Sequence, residues 1–156
     1  MAKGFRGTFE NRLDKKGRVS VPAEFRTLLK SQGGDGIVAF PSLRHGTRHR
    51  ALECSGPDRL DQMSASIDPT KVLPDGTSRL TQLLLGRSRD VSLDPDGRIV
   101  LPDVFVKYLG STERLAFVGQ GPYFEIWDAD AYAAREMELI QEGLGLADQL
   151  LTGGGQ

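Results

Sequence analysis

The sequence has few of the features that define secreted, membrane or disulfide-rich proteins. Its 156 residues include one cysteine, Cys54, which excludes a framework of internal disulfides. No apolar run approaches the roughly 20 residues of a membrane-spanning helix. The first segment, MAKGFRG, has no apolar stretch after its basic residues, so we expect no signal peptide. With 38% hydrophobic and 26% charged residues, the composition is typical of a soluble globular protein, and we expect it in the cytoplasm.

Motifs of common enzyme classes are also missing. The sequence has no GxxxxGK[ST], GxSxG or HExxH, and GLGLAD at 143–148 lacks the third glycine of a dinucleotide-binding loop. His45 and His49 are four residues apart, but their segment contains a glycine and offers no third ligand, so a solvated basic loop is favoured over a metal site. Cys54 stands in no nucleophile motif. We expect a protein that is not an enzyme and has no cofactor or metal.

One phrase of nine residues occurs twice, 80 residues apart. DKKGRVSVP begins at Asp14 and DPDGRIVLP begins at Asp94. The aspartate is typical of the first position of a type I turn, and the glycine of the later position with positive φ. The alternation of Val19 and Val21 predicts a strand, and Pro22 is typical of a first helical turn. Each half is therefore predicted to be strand, tight turn, strand, short helix and strand.

Further elements follow from local patterns. RLDKKGRVSV is predicted to be a hairpin, and a helix is predicted over about 77–85, with a core stripe of Leu80, Leu83 and Leu84. Asp128 is a good N-cap for a last helix, whose tail LADQLLTGGGQ is expected to fray. Each half of about 80 residues has too small a core to fold alone. We therefore expect an α+β fold, in which the two halves form one pseudo-twofold barrel.

Positive charge is concentrated at the start of the chain. Residues 1–30 contain eight basic and three acidic side chains, whereas the remainder contains twelve basic and eighteen acidic ones. Lys15, Lys16 and Arg18 crowd the first turn. A two-stranded ribbon fits the DNA major groove. The lysines would neutralise backbone phosphates, and Arg18 could donate two hydrogen bonds to the O6 and N7 atoms of a guanine. The alternatives are a solvated charged face, and an Arg18 that merely pairs with the aspartate of its turn.

Three segments resemble the MraZ family, which comprises bacterial transcriptional regulators with two tandem SpoVT-AbrB-type repeats. These segments are FRGTFENRLDKKGRVSVPAEFR (Phe5 to Arg26), VSLDPDGRIVLPDVF (91–105) and YFEIWDADAY (123–132). The resemblance covers about residues 4–140. It implies a first repeat at 4–55, a helical connector at 56–86, a second repeat at 87–131, and a C-terminal helix with a flexible tail at 132–156. It also implies a swapped-hairpin barrel within one chain.

The resemblance further implies a function: sequence-specific binding to double-stranded DNA at promoter direct repeats of the division and cell-wall gene cluster. The protein would be nucleoid-associated and would form a homo-oligomer, in the family a ring. The family pattern matches basic residues here at Arg12, Arg18 and Arg26, with emphasis on Arg18. The candidate DNA-binding residues are Arg6, Arg12, Lys15, Lys16, Arg18, Arg26 and Arg98.

The second copy of the phrase has lost its basic tip. Pro95 and Asp96 replace the two lysines, which keeps the turn chemistry but repels phosphate. We expect Arg98 to be mainly structural and held by Asp94; a reduced DNA contact is the alternative. The basic segment RHGTRHR at 44–50 is either an accessory phosphate contact or a loop without function. The alternative function is an AbrB-like protein-interaction or antitoxin-type scaffold, and the two lysines favour DNA.

Overall fold

A computed structural model describes residues 4–65, 77–110 and 113–153 of the chain. Its strands are β1 (Thr8–Arg12), β2 (Arg18–Ser20), β3 (Gly36–Pro41), β4 (Leu52–Ser55), β5 (Arg89–Ser92), β6 (Arg98–Val100), β7 (Arg114–Gly119) and β8 (Phe124–Asp128). Its helices are α1 (Ala23–Ser31), α2 (Pro57–Ala65), α3 (Thr77–Arg87), α4 (Asp103–Leu109) and α5 (Ala129–Gly153). The α+β class is confirmed.

The strands form one large antiparallel sheet and one small ribbon. The six-stranded sheet has the order β1-β7-β8-β4-β3-β5, and β2 pairs with β6 in a separate two-stranded ribbon. The expectation of a closed barrel is wrong for the described strands. The physical reason is that β1 and β5 lie at opposite edges of the sheet, and the three-residue strands β2 and β6 bond to each other instead of bridging those edges.

The arms of the predicted first hairpin do not pair with each other. The backbone of β1 bonds to β7, from Thr8 opposite Val118 to Arg12 opposite Arg114. The backbone of β2 bonds to β6, with Val19 opposite Ile99. The turn between the arms was therefore predicted correctly and the strand partners wrongly, because both partners come from the other half of the chain. The strand order of the large sheet reads the same, in reverse, when β1–β4 are exchanged with β5–β8.

The core lies between the large sheet, the ribbon and the short helices α1 and α4. Both short helices face the core, because Phe25 and Leu29 of α1 and Phe105 and Leu109 of α4 are all buried. Phe25 packs against Phe124 at a centroid distance of 5.0 Å. Both short helices begin after the predicted prolines. This packing fixes the ribbon to the sheet and holds its two end turns at the surface.

The last helix is longer than the sequence suggested. Its start is as predicted: the Asp128 carboxylate accepts the amide of Ala131 at 3.1 Å, and Trp127 packs on Tyr132. Helix α5 continues to Gly153, through most of the tail that is expected to fray. The Leu, Ala and Gln residues of this segment can extend a helix at little cost in propensity. No helix in the described ranges is long and apolar enough to span a membrane.

Helix α3 is confirmed, but its core stripe is not. Leu83 is 45% exposed, so it does not contribute to the core. Leu84 is partly buried, and the side chain of Leu80 lies outside the described part of the structure. Periodicity identified a helix with an apolar face, but it could not identify what that face packs against.

Candidate nucleic-acid interface

The first turn is held together by the carboxylate of Asp14. One oxygen, Oδ1, accepts the backbone amides of Lys16 at 2.9 Å and Arg18 at 2.8 Å. The other, Oδ2, accepts Nε of Arg18 at 2.7 Å. Gly17 closes the turn with its amide on the Asp14 carbonyl and adopts φ of 81°, which favours glycine. The predicted roles of the aspartate and the glycine are confirmed.

Hydrogen bonding also sets the charge state of Asp14. The amide of Arg18 is the largest cause of a pKa that lies below the ordinary aspartate value, and the Arg18 side chain and the Lys16 amide act in the same direction. The carboxylate thus stays ionised to a lower pH than an ordinary aspartate and holds the guanidinium in one orientation. Arg18 uses Nε for this bond. Its two terminal nitrogens, Nη1 and Nη2, make no hydrogen bond to the described residues. This pair of nitrogens, the fork of the guanidinium, is therefore available to another acceptor.

The lysines complete a basic tip. Lys15 and Lys16 are exposed, and neither forms an ion pair within the described ranges. Arg12, at the end of β1, is exposed as well and lies opposite Arg114 in the strand pairing. Arg114 is itself held by Glu10 at 2.9 Å. One end of the ribbon therefore carries three unpaired basic side chains and an oriented arginine.

The second turn has the same backbone and a different charge. Asp94 accepts the amides of Asp96 and Arg98 and Nε of Arg98, and Gly97 has φ of 79°. However, a terminal nitrogen of Arg98 also contacts the Asp96 carboxylate at 3.3 Å. One terminal nitrogen of Arg98 is therefore engaged by Asp96, whereas neither terminal nitrogen of Arg18 is bonded to a described residue. The substitution of an acidic residue for a lysine at this position removes a positive charge and engages the neighbouring arginine.

The two turns lie at opposite ends of one ribbon. In the ladder, Arg18 is opposite Val100 and Ser20 is opposite Arg98. Residues alternate between the two faces, so these four side chains share the outer face, while Val19 is buried beneath them. Both arginines of the repeated phrase therefore face outward from a single ribbon built by both halves of the chain.

Two of the sequence-predicted residues lie away from the basic tip. Arg6 precedes β1, and the length of that strand, about 13 Å from Thr8 to Arg12, separates it from the turn. Arg26 of α1 is half-buried, lies against Gly97 and donates to the Asp96 carbonyl at 3.4 Å. The structure therefore brings Arg12, Lys15, Lys16 and Arg18 together at one turn, places Arg26 beside the other turn, and leaves Arg6 apart from both.

The basic segment at 44–50 covers the outer face of the large sheet. Arg44 donates to Glu53 at 2.8 Å, and His45 contacts Glu125 at 2.8 Å. Both glutamates are almost completely buried and lie directly opposite each other on β4 and β8. The sequence interpretation as a solvated loop is therefore wrong for Arg44 and His45: Arg44 forms an ion pair with one buried carboxylate, and His45 shares a hydrogen bond with the other. An acidic residue inside each apolar strand, LECS and FEIWD, is the signal that would have indicated these partners.

A second arginine completes the cluster around the first glutamate. Arg59 of α2 donates to Glu53, and its guanidinium lies over the Tyr123 ring at 4.4 Å, while that of Arg44 lies over the same ring at 4.8 Å. Burial raises the pKa of the Tyr123 hydroxyl, against the opposing effect of Arg44. These arginines are engaged inside the protein and are separate from the basic tip.

The described residues contain no group of three or more histidine, cysteine or acidic side chains that could hold a metal ion. Cys54 is fully buried, and burial raises the pKa of its thiol well above the ordinary value. A buried thiol of raised pKa is a poor nucleophile.

Comparison with known proteins places the chain in a family. A family model described as "MraZ protein, putative antitoxin-like" matches residues 84–151. A protein of Parvibaculum lavamentivorans named Transcriptional regulator MraZ is 42% identical over 149 residues, 94% of this chain and 89% of that protein. Proteins of the same name from Pelagibacter ubique and Xanthobacter autotrophicus are each 36% identical, over 82% and 88% of this chain and 80% and 85% of their own lengths. The repeated turn phrase, the ribbon that it builds and this similarity along nearly the whole chain lead to one conclusion: the chain belongs to the MraZ family.

Proposed function

We propose that the protein is a sequence-specific DNA-binding transcriptional regulator that carries out no catalysis. The observation that carries this proposal is the first turn, where Asp14 orients Arg18 and leaves its terminal nitrogens open beside Lys15 and Lys16. The relatives are named transcriptional regulators, which supports the same role. Lysines at such a tip suit phosphates, and an arginine fork suits the O6 and N7 acceptors of guanine.

The ribbon suits this role in shape. A two-stranded ribbon is narrow enough to enter the major groove, which is about 12 Å wide. The outer face of β2 and β6 has no described element over it, as the exposure of Ser20 and Val100 indicates. Arg12 lies near the entry to the turn and would add a phosphate contact. We assign Arg18 to base recognition and Arg12, Lys15 and Lys16 to the backbone.

The second turn is proposed to contribute little to binding. Asp96 repels phosphate and engages Arg98, so this turn lacks both the charge and the open fork of the first. Arg26 is proposed to support the second turn from α1, because it lies against Gly97. Arg6 is proposed to make at most a peripheral phosphate contact.

The two halves are proposed to be a duplicated unit, with repeats at 4–55 and 87–131 around the connector and with exchanged turn-and-strand arms. The pairing of β1 with β7 and of β2 with β6 supports this exchange, as does the symmetry of the strand order. We further propose that copies of the chain assemble into a homo-oligomer, in the form of a ring. Several basic tips would then meet direct repeats in the promoter of the division and cell-wall gene cluster on the nucleoid, and multivalency would raise the affinity.

Footprinting on the promoter upstream of the protein's own gene, at several salt concentrations, tests the proposal. We expect protection of spaced repeats, and an affinity that falls steeply as salt rises, because each phosphate contact releases counterions. A protein-interaction or antitoxin-type scaffold would give no protected site and no steep salt dependence. That result would refute the DNA-binding role.

A further inference from the structure

The distal part of α5 carries a large apolar surface that nothing in the described structure covers. Every residue from Leu139 to Gly153 is exposed. The exposed large apolar side chains here are Met137, Leu139, Ile140, Leu144, Leu146, Leu150 and Leu151, with exposed fractions from 41% to 82%. Helical geometry divides these residues between two faces, with Leu139, Leu146 and Leu150 on one and the other four on the opposite face. Single exposed leucines are ordinary, but a row of exposed apolar side chains along one face of a helix marks an interaction site.

The apolar residues follow helical spacing. Met137, Ile140, Leu144 and Leu151 are separated by three, four and seven residues, which places them along one stripe. The segment from Leu139 to Gly153 extends for about 21 Å at 1.5 Å per residue. The stripe is therefore long enough to pack against a helix of three turns.

Charge argues against pairing of this helix with a second copy of itself. After Arg135, the helix contains four acidic residues and no basic residue; these are Glu136, Glu138, Glu142 and Asp148. Arg135 pairs with Glu138 at 2.9 Å and with Glu142 at 3.7 Å, whereas Glu136 and Asp148 have no ion pair within the described residues. Two such helices side by side would therefore bring four carboxylates together without a counter-charge. The complementary surface should be apolar and basic.

Helix α3 offers such a surface. Arg79, Leu83 and Arg87 are spaced by four residues and share one face, and all three are exposed. Leu83 is 45% exposed between the two arginines. The eleven residues of α3 include no acidic side chain. The Arg87 guanidinium lies 5.4 Å from the centre of the Tyr108 ring, which keeps it at the edge of this face.

We propose that the distal half of α5 of one copy packs on α3 of the next copy, with Ile140 and Leu144 against Leu83 and acidic side chains near Arg79 and Arg87. The inference rests on the proposed homo-oligomer and names the surface through which it forms. The two surfaces differ, so the contact is head-to-tail. Such contacts close into a ring when the rotation between copies allows it.

Complementation of two variants tests the inference in the full chain by light scattering after gel filtration. The α5 variant is Ile140→Glu with Leu144→Glu, and the α3 variant is Arg79→Glu with Leu83→Glu. Each variant alone should be a monomer. An equimolar mixture should form a dimer of twice the monomer mass and nothing larger, because one intact α5 meets one intact α3 and both remaining surfaces are disabled.

Two controls keep the test interpretable. Gln149→Glu with Thr152→Glu adds the same charge to α5 outside the stripe and should leave the mass of the wild type unchanged. Circular dichroism should show unchanged helix content for all variants, because every substituted residue is exposed. The milder Leu144→Gln should weaken self-association about tenfold, as expected for loss of one central apolar contact.

Three outcomes would overturn the inference. If the α3 variant keeps the mass of the wild type while the α5 variant is monomeric, α5 binds another surface. If both variants keep that mass, neither surface forms the contact. If the wild type is itself monomeric, self-association is also refuted, whereas salt-dependent footprinting by that monomer would leave the DNA-binding proposal intact.

Discussion

Replacing the two tip residues of the first turn with those of the second changes the charge of the first turn and preserves its backbone conformation. The variant Lys15→Pro with Lys16→Asp gives the first turn the tip of the second, whose backbone hydrogen bonds are the same. In the first turn Gly17 donates to the Asp14 carbonyl at 3.0 Å, and the corresponding bond in the second turn is 2.9 Å. The amide of Lys15 makes no hydrogen bond to the described residues, so proline removes nothing there. We expect the variant to fold normally.

The effect on DNA binding should be large. Loss of two phosphate contacts lowers the slope of log affinity against log salt by about 1.8 per engaged subunit. If the affinity at 1 M salt is the same for both proteins, a slope lower by about 1.8 makes the affinity of the variant at 0.1 M salt roughly 60-fold lower than that of the wild type. The carboxylate introduced by Lys16→Asp would stand where that of Asp96 stands in the second turn and would engage Arg18. Because Arg18 is assigned to base recognition, its engagement would weaken discrimination between sequences and would leave the change in slope near 1.8.

Fluorescence anisotropy with a promoter duplex at five salt concentrations measures the slope. The matched control, Lys30→Ala with Arg48→Ala, removes two exposed basic charges outside the ribbon and should leave the slope unchanged. An unchanged slope in the turn variant would exclude both lysines from the interface. Equal decreases in the turn variant and the control would show that general charge, rather than the turn, determines binding.

Three further predictions concern the second turn, the buried glutamate and pH. Asp96→Lys should release Arg98 and add a charge, which raises the salt slope by about 0.9 to 1.8 per engaged subunit in the same anisotropy assay; no increase would mean that this turn lies away from DNA. Glu53→Ala leaves two arginines without their buried carboxylate and should lower the free energy of unfolding by about 1–3 kcal/mol in urea denaturation; an unchanged value would contradict the role of the cluster. Because the pKa of Asp14 is lowered in the folded protein, its contribution to stability should be complete above the ordinary value near 4 and should be lost as pH falls through the lowered pKa. A carboxyl titration by NMR with a midpoint at or above about 3.9 would contradict this.

Local chemistry predicted the turns well because the residues that define them are adjacent in sequence. Asp14 and Gly17 contact each other within four residues, and proline begins each short helix by its own geometry. Strand partners could not be predicted in this way, because the local sequence allows β2 to pair with β1 as readily as with β6. The choice depends on how the two halves pack, which no short pattern contains. The prediction of a closed barrel failed for the same reason.

The candidate site shows the same division. The cluster of Lys15, Lys16 and Arg18 could be predicted because it lies on one turn. The pairing of Arg98 with Asp94 was predicted from the turn, but its contact with Asp96 was not. The position of Arg26 against the second turn arises from contact across 70 residues. The basic loop at 44–50 was misread because its counter-charges are buried within apolar strands, Glu53 on the strand that follows the loop and Glu125 about 80 residues away.

Comparison of Arg18→Ala with Arg98→Ala tests most directly whether the first turn makes the sequence-specific contact with DNA. Both substitutions remove an arginine held by the aspartate of its own turn, so any structural cost should be similar, and circular dichroism would verify that both variants are folded. In a gel-shift assay on the promoter fragment, we predict that Arg18→Ala abolishes specific binding, while Arg98→Ala retains most of it. Full-affinity binding by Arg18→Ala, or an equal loss in both variants, would contradict the assignment.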